Sequence, residues 1–197
     1  MSQSSYRVAV NVEWTSKCNA RCAMCPRSMI TNPKVMDLTT FRQVLSRLSV
    51  DDAFRVIVAG YGEPTTHPRF EDFVEAMRGH PLRFDMATNG SLLNKNRLEH
   101  VDSLFTTLMI SFSSTAPDVY QAVHTNLDQI QVMENILLAR RTLKKTKLII
   151  NLSPTTECLA TLAETIRWFH KHDIHDLHMS PTYYDRAGYR EHPRRTI

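Results

Sequence analysis

Three of the four cysteines in the chain lie within eight residues of one another, at Cys18, Cys22 and Cys25, whereas Cys158 lies alone far along the chain. A small secreted disulfide scaffold carries more cysteines and spaces them more evenly. Clustered thiols in a reducing compartment are typical of a metal ion or an iron–sulfur cluster. A structural zinc site usually has four ligands in two close pairs. The single triad has no such partner pair, and a triad that held a cubane cluster would leave one iron without a protein ligand, open to a small molecule.

Two short turns farther along the chain carry residues that also bear on chemistry. A Gly-Tyr-Gly-Glu-Pro turn occupies residues 60–64, and a Thr-Asn-Gly turn occupies residues 88–90. Gly, Pro and Asn-Gly are common turn residues, so either turn taken alone is compatible with an ordinary connection. Both turns follow short apolar runs that predict strands, as the cysteine loop does, and this shared position gives them more weight.

Apolar residues alternate along short runs and recur every three or four positions along longer ones, which predicts strands and helices in strict alternation. Asp37 or Thr39 is the predicted N-cap of the first helix. Strands are predicted at residues 8–14, 56–59, 83–87, 107–112 and 148–152, with a sixth beginning at residue 177, and helices over residues 41–48, 70–77, 98–105, 130–143 and 159–169.

This alternation predicts an α/β fold in which βα units build a parallel sheet. A complete barrel of eight units typically needs about 250 residues, and a chain of 197 residues fits six units better. We therefore predict a partial (βα)6 TIM-like barrel with parallel strands. Because the active groups of such a barrel lie at the carboxyl ends of its strands, the cysteine loop and the two turns are expected to meet on one face.

Length and composition fit a single globular domain over residues 1–197, of which about the last ten are expected to form a flexible tail. Apolar residues make up 42% and charged residues 22% of the chain, unlike a disordered sequence. The net charge of +4 is spread along the chain and weighs against a nucleic-acid partner. No apolar stretch approaches the ~18 residues of a membrane span, and residues 1–7 lack the apolar core of a leader, so we expect a cytoplasmic protein with no membrane partner.

The motifs of these segments resemble those of the radical SAM (S-adenosylmethionine) enzymes. CNARCAMC at residues 18–25 is similar to the family's Cys-x3-Cys-x2-Cys motif, GYGEPTTHP at residues 60–68 to its Gly-Glu-Pro motif, and ATNG at residues 87–90 to another frequent turn. The order of the motifs, each after the appropriate strand, makes the resemblance specific, and it extends from about residue 8 to residue 188. Pro26 and Arg27 continue a form that is common among members that modify peptides or build cofactors and natural products.

The resemblance implies two cofactors, a 4Fe–4S cluster and S-adenosylmethionine (SAM). It places three irons on Cys18, Cys22 and Cys25 and leaves the fourth to the amino and carboxylate groups of SAM. Reductive cleavage of the sulfonium then gives a 5′-deoxyadenosyl radical, which abstracts hydrogen from a small-molecule or peptide substrate. The electron would come from a reductant such as flavodoxin or ferredoxin. The cofactors carry this chemistry, while the protein orients them and excludes water.

The same resemblance assigns contacts with SAM to several residues. Gly62 and Glu63 match positions that meet the methionine amino group, and Pro64 is expected to fix their turn. Ser111 matches a serine that often contacts the methionine or ribose portion, and Asn89 matches a polar contact with the cofactor or the substrate.

Met24 and Met179 match positions near the adenine. The residue before the third cysteine is often aromatic in the family, and Met24 departs from that pattern, although a thioether also packs on adenine. The fifth predicted strand departs as well, because residues 150–157 keep the apolar spacing and the glutamate but lack the usual glycines. The adenine side is therefore where this sequence differs most from the family pattern.

Substrate contacts are expected at the ends of the last two strands, from Asn151, Tyr183, Asp185 and Arg186. A guanidinium at Arg186 suits a bidentate contact with a substrate carboxylate. The alternative for this last segment is an ordinary surface loop.

Three interpretations of the function remain open. The favoured one is a radical SAM enzyme that acts directly on a small molecule or peptide; a second is an activase that installs a glycyl radical on a large partner enzyme. The third is a non-catalytic, metal-stabilised scaffold that binds an acidic partner through its basic tail, and iron and labile sulfide content would separate it from the enzymes. Members with this form of motif often bear a C-terminal domain with auxiliary clusters, which this sequence lacks. We therefore expect a minimal core enzyme or the front part of a longer protein.

Overall fold

Six parallel strands form the main sheet of the protein, which a computed structural model describes over residues 6–152 and 155–179. The strands are β1 (Val8–Val12), β2 (Ala53–Val58), β3 (Arg83–Thr88), β4 (Phe105–Phe112), β5 (Lys147–Leu152) and β6 (Leu177–Met179). They lie in the sheet in chain order, from β1 at one edge to β6 at the other, and each neighbouring pair is parallel. The predicted partial (βα)6 TIM-like barrel with parallel strands is confirmed.

Helices connect the strands and cover one face of the sheet. They are α1 (Leu38–Arg47), α2 (Phe70–Ala76), α3 (Lys95–Val101), α4 (Pro117–Val123), α5 (Gln129–Thr142) and α6 (Leu162–Lys171), with short 3-10 helices at Pro26–Met29, Pro64–Thr66 and Thr156–Thr161. Asp37, one of the two predicted caps, begins α1, because its carboxylate accepts a hydrogen bond from the backbone N–H of Thr40 at 2.8 Å. Across the described part of the chain, no helix is both long and apolar enough to cross a membrane.

A short helix and a ribbon are absent from the sequence-based prediction. Helix α4 has only seven residues and little periodicity, although Pro117 at its first position is a helix-start signal. A two-stranded antiparallel ribbon pairs Arg21–Cys22 with His124–Thr125. Strands of two residues are too short to show an alternating pattern. The ribbon joins the cysteine loop to the end of α4, so it contributes directly to the position of Cys22.

The helix-covered face of the sheet holds the apolar core. Val56 on β2, Leu108 and Ile110 on β4 and Ile150 on β5 are fully buried there. Burying an aliphatic side chain of this size contributes about 1.5–3 kcal/mol to stability. This packing fixes the strands and, with them, the loops at their carboxyl ends.

A cluster of aromatic rings anchors the chain where β1 ends. The Trp14 ring is almost fully buried, and its centroid lies 5.5 Å from that of Phe41, 5.8 Å from that of Phe70 and 5.3 Å from that of Phe73. Edge-on contacts at these distances are favourable. Trp14 comes just before the cysteine loop, so the cluster holds the start of that loop against α1 and α2.

The opposite face of the sheet is more open. Met109 and Ser111 alternate along β4 with core residues and are only half-buried. Ser111 pairs in register with Asn151 on β5, which is also half-buried. Because side chains alternate between the two faces of a strand, these residues line the interior of the partial barrel.

Candidate functional site

The cysteine loop begins the site. Cys18, Cys22 and Cys25 are free thiols and half-buried. The backbone N–H of Ala20 donates to Cys18 Sγ at 3.4 Å, and the ribbon fixes the backbone of Cys22. Burial raises the pKa of all three thiols, that of Cys22 to about 12. A bound cation such as iron would stabilise thiolates at these positions.

A single metal ion and an iron–sulfur cluster place different demands on the acidic, histidine and cysteine side chains. Within residues 6–152 and 155–179, no group of three or more such side chains converges closely enough to hold one metal ion. A cluster makes a different demand, because each thiolate binds a different iron. The donor set of three cysteines on one short loop therefore fits a cluster better than a lone zinc ion.

The turn at residues 60–64 packs directly on the cysteine loop. A Cβ atom at Gly62 would lie 1.8 Å from the backbone oxygen of Thr15 and 2.7 Å from that of Lys17. The next N–H, that of Glu63, donates to the same Lys17 oxygen at 2.8 Å. Glycine is thus required at residue 62 because two backbone segments meet there.

Glu13, which the sequence analysis does not single out, holds the same turn from the other side. Its Oε1 atom accepts hydrogen bonds from the backbone N–H groups of Tyr61, at 2.5 Å, and Gly62, at 3.1 Å. A Cβ atom at Gly60 would lie 2.3 Å from that oxygen. The signal in the sequence was an acidic residue near the end of an alternating run that predicts a strand, which is weak evidence by itself.

Glu63 is buried, and its carboxylate is fully engaged within the chain. Oε1 accepts from Thr65 N at 3.0 Å, from Thr65 Oγ1 at 2.6 Å and from Thr88 Oγ1 at 2.6 Å, while Oε2 accepts from Asn89 N at 2.7 Å. Burial raises the pKa of Glu63, although the four hydrogen bonds oppose that shift. The carboxylate thereby joins the two turns, and its predicted contact with the ammonium group of SAM stays a prediction.

Asn89 links the turn at residues 88–90 to the cysteine loop. Its Nδ2 donates to Asn19 Oδ1 at 2.9 Å, and its Oδ1 accepts from Ser91 N at 3.0 Å and Ser91 Oγ at 2.7 Å. Asn19 follows Cys18 directly. The cysteine loop and the turns at residues 60–64 and 88–90 are therefore in mutual hydrogen-bonded contact, which confirms that they meet on one face.

The remaining predicted residues lie on the same edge or line the interior, but the structure does not bring all of them together. Pro64 is buried and begins a 3-10 helix. Met24 lies half-buried between two cysteines, and Met179 is 49% exposed at the end of β6. No described contact joins these two methionines. Tyr183, Asp185 and Arg186 lie outside the described residues.

Ser113 is a further candidate that the sequence analysis does not name. It follows β4 directly, is 2% exposed, and its hydroxyl has no hydrogen-bond partner among the described residues. A buried hydroxyl without a partner is costly, so such a group often serves a ligand. Its position two residues after Ser111 places it on the same side of the strand, at the carboxyl edge.

Comparison with known proteins decides the family. The family model of the Radical SAM superfamily matches residues 12–169. The chain belongs to the radical SAM superfamily. Enzymes of this superfamily use a 4Fe–4S cluster and SAM. The three motif segments described above all lie within the matched part of the chain.

Two curated relatives cover part of the chain. The tungsten-containing aldehyde ferredoxin oxidoreductase cofactor-modifying protein of Pyrococcus furiosus is 31% identical over 114 residues, 57% of this chain and 32% of that protein. An uncharacterized protein of Methanocaldococcus jannaschii is 29% identical over 134 residues, 66% of this chain and 43% of that protein. The radical SAM chain therefore spans less than half the length of these relatives.

Solved structures of radical SAM proteins share the fold. SuiB of Streptococcus suis bound to S-adenosylmethionine superposes with a TM-score of 0.79 at 14% identity, over 94% of this chain and 43% of that chain. The protein anSMEcpe with bound AdoMet superposes with a TM-score of 0.73 at 18% identity, over 88% of this chain and 51% of that chain. At these identities the likeness supports the partial barrel and not a particular substrate.

Proposed function

We propose that the chain is a radical SAM enzyme in which Cys18, Cys22 and Cys25 hold the cluster and SAM lies beside the turns at residues 60–64 and 88–90. The observation that carries the proposal is the network of hydrogen bonds that joins the cysteine loop to both turns. When bound, the cluster supplies one electron that cleaves the sulfonium of SAM, and the resulting 5′-deoxyadenosyl radical abstracts hydrogen from the substrate.

The turn at residues 60–64 would bind the methionine amino group. Gly62 leaves no room for a side chain, and Pro64 limits the backbone at the start of the 3-10 helix. Glu13 and Glu63 accept hydrogen bonds on either side of the turn and restrict its movement. Their role is to orient the turn, since binding is strongest when the polar groups are fixed before the ligand arrives.

Polar groups on the neighbouring strands would bind the rest of SAM. The hydroxyl of Ser113, which has no hydrogen-bond partner among the described residues, suits the methionine carboxylate or the ribose, as does the half-buried side chain of Ser111. Asn89 lies at the same edge. Met24 and Met179 would pack near the adenine, because thioethers adapt to a flat aromatic surface.

A small molecule or a peptide is the proposed substrate, taken up on the open interior face near Asn151. Tyr183, Asp185 and Arg186 are proposed to add contacts at the mouth of the barrel. Structures of SuiB with a precursor peptide and of anSMEcpe with a peptide support a peptide, and the cofactor-modifying relative supports a small molecule. We propose residues 1–197 as one radical SAM core domain.

The surface beside the cluster site suits a reductant with an acidic face, such as flavodoxin or ferredoxin. Residues 14–36 contain no acidic side chain and four basic ones, at Lys17, Arg21, Arg27 and Lys34. Opposite charges steer such partners together and speed their association. Free cysteines and a reductant of this kind both fit the cytoplasm as the site of action.

The test is anaerobic reconstitution with iron and sulfide, followed by dithionite and SAM, with 5′-deoxyadenosine as the product measured. We expect cluster loading and product from the wild type, and neither from Cys18→Ser, Cys22→Ser or Cys25→Ser. Cys158→Ser is the matched control, because this buried thiol lies outside the loop, and it should retain both. A Cys22→Ser protein with full iron content and activity would overturn the proposal.

A further inference from the structure

His124 lies against the second of the proposed cluster ligands. Its Nδ1 atom is 3.3 Å from Cys22 Sγ, a hydrogen-bond distance for sulfur. The two residues are direct partners in the antiparallel ribbon, so the contact is fixed by backbone pairing and not by a mobile side chain alone. His124 is 4% exposed. The imidazole is therefore held next to the sulfur with little access for water.

The surroundings of the ring indicate which nitrogen carries the proton. Nε2 of His124 is buried and has no hydrogen-bond partner among the described residues. The hydroxyl of Tyr120 is also buried and also has no partner among those residues. The two rings pack with their centroids 4.9 Å apart. A buried N–H without an acceptor is rarer in proteins than a buried acceptor without a donor. The proton of the neutral ring thus belongs on Nδ1, where it points to Cys22.

We propose that His124 is a positioning residue that donates its Nδ1–H to the Cys22 thiolate of the cluster and thereby makes the cluster easier to reduce. This inference rests on the proposed function, since it takes Cys22 as a cluster ligand. A hydrogen bond to a ligating sulfur withdraws electron density from it, and the reduced cluster carries one more negative charge than the oxidised one. The hydrogen bond therefore stabilises the reduced cluster more than the oxidised cluster.

The imidazole adds a side-chain hydrogen-bond donor beside the sulfur of Cys22. Cys22 packs against the apolar core, and the Tyr120 ring packs against the imidazole. Cys18 differs, because it accepts from a backbone N–H within its own loop. Hydrogen bonds to the sulfurs are one of the main determinants of the potential of an iron–sulfur cluster, so a side-chain donor offers a separate way to adjust it.

The experiment measures the midpoint potential of the reconstituted full chain by an EPR-monitored redox titration. His124→Phe keeps a ring against Tyr120 and removes the donor, and we expect about a tenfold lower ratio of reduced to oxidised cluster at a given potential, equivalent to about 59 mV for one electron. His124→Asn places an amide N–H near the position of Nδ1 and should restore most of the shift. Tyr120→Phe, the matched control, removes only a hydroxyl and should leave the potential unchanged.

Iron and sulfide content and circular dichroism show whether each variant loads and folds. An unchanged midpoint potential in cluster-loaded His124→Phe overturns the inference. A shift in His124→Asn as large as that in His124→Phe also overturns it, because that result would indicate a packing effect and not a hydrogen bond. Pulsed EPR of wild type labelled with 15N-histidine tests the contact without any substitution: a histidine nitrogen coupled to the reduced cluster is expected, and its absence overturns the inference. If the wild-type protein binds no cluster, that result contradicts the proposed function itself.

Discussion

Two carboxylates join loops at opposite edges of the sheet, and they differ in burial and in hydrogen-bond partners. Glu63, at the carboxyl ends of the strands, is buried and connects the two turns of the site. Asp102, at the amino ends, is half-buried and accepts hydrogen bonds from the backbone N–H groups of residues 144–146, the shortest at 2.8 Å. Burial raises the pKa of Glu63, whereas for Asp102 burial is outweighed by backbone hydrogen bonds, which lower its pKa.

The difference separates a residue that organises a site from one that supports the fold. Asp102 fastens the chain just before β4 to the chain just before β5, and no predicted site residue lies at that edge. Glu63 fastens segments that all carry predicted site residues. In barrels of this kind, the amino edge serves stability and the carboxyl edge serves activity. Substitutions at the two edges are therefore expected to have different consequences.

The largest loss of activity is expected from Gly62→Ala, which places a methyl group where backbone oxygens already lie. The turn must move, so SAM cleavage should fall to background, with overpacking costing roughly 1–3 kcal/mol of stability. Formation of 5′-deoxyadenosine and chemical denaturation would measure the two effects. Gly79→Ala is the control: nothing lies within 4 Å of the new methyl group, but φ is +77°. It should cost about 1 kcal/mol and leave activity unchanged.

Glu63→Gln should impair both stability and activity. Each carboxylate oxygen accepts a backbone N–H, from Thr65 on one side and Asn89 on the other. The amide N–H2 of glutamine would meet one of these donors in either orientation, and we expect a cost of roughly 2–4 kcal/mol. Denaturant titration and the SAM-cleavage assay would measure the change. Wild-type activity in this variant would show that the link between the turns is dispensable.

Glu13→Ala should have a smaller effect, confined to cofactor binding. The two backbone N–H groups that it now engages can turn to water, because Tyr61 is exposed. The KM for SAM should rise about tenfold, or about 1.4 kcal/mol, with kcat little changed. Glu13→Gln keeps an acceptor and should lie between the wild type and Glu13→Ala. An unaltered KM in Glu13→Ala would remove this residue from the site.

Asp102→Asn should have the smallest effect, because its carboxylate is partly solvated. The expected loss is about 0.5–1.5 kcal/mol of stability, with SAM cleavage unchanged. Since the pKa of Asp102 is lowered in the folded state, its contribution is present above the unfolded pKa of about 3.9 and is lost as the pH falls through the lowered value. Unfolding free energies from pH 7 down to pH 2.5 should show the wild type and Asp102→Asn converging. Curves that stay parallel would contradict this role.

The sequence predicts which residues lie at this edge of the sheet better than it predicts how those residues contact one another. Apolar periodicity places the strand ends, and those ends place Cys18, Gly62 and Asn89 on one edge, as the structure shows. The roles of Glu13 and His124 are not predictable in this way, because each depends on a partner distant in the chain: Cys22 and His124 are 102 residues apart. The two-residue ribbon that joins them has no pattern to detect. Burial of Glu63 likewise depends on how two turns pack, and the motif alone does not reveal that its carboxylate faces inward.

The most direct test of the central claim is the EPR spectrum of the reduced, reconstituted protein with and without SAM. The proposed function requires that three cysteines leave one iron open and that the adjoining turns bind SAM next to it. It therefore predicts a cluster signal that changes when SAM is added, and loss of that change in Gly62→Ala protein that still carries a cluster. A reduced cluster whose signal is the same with and without SAM would contradict the account.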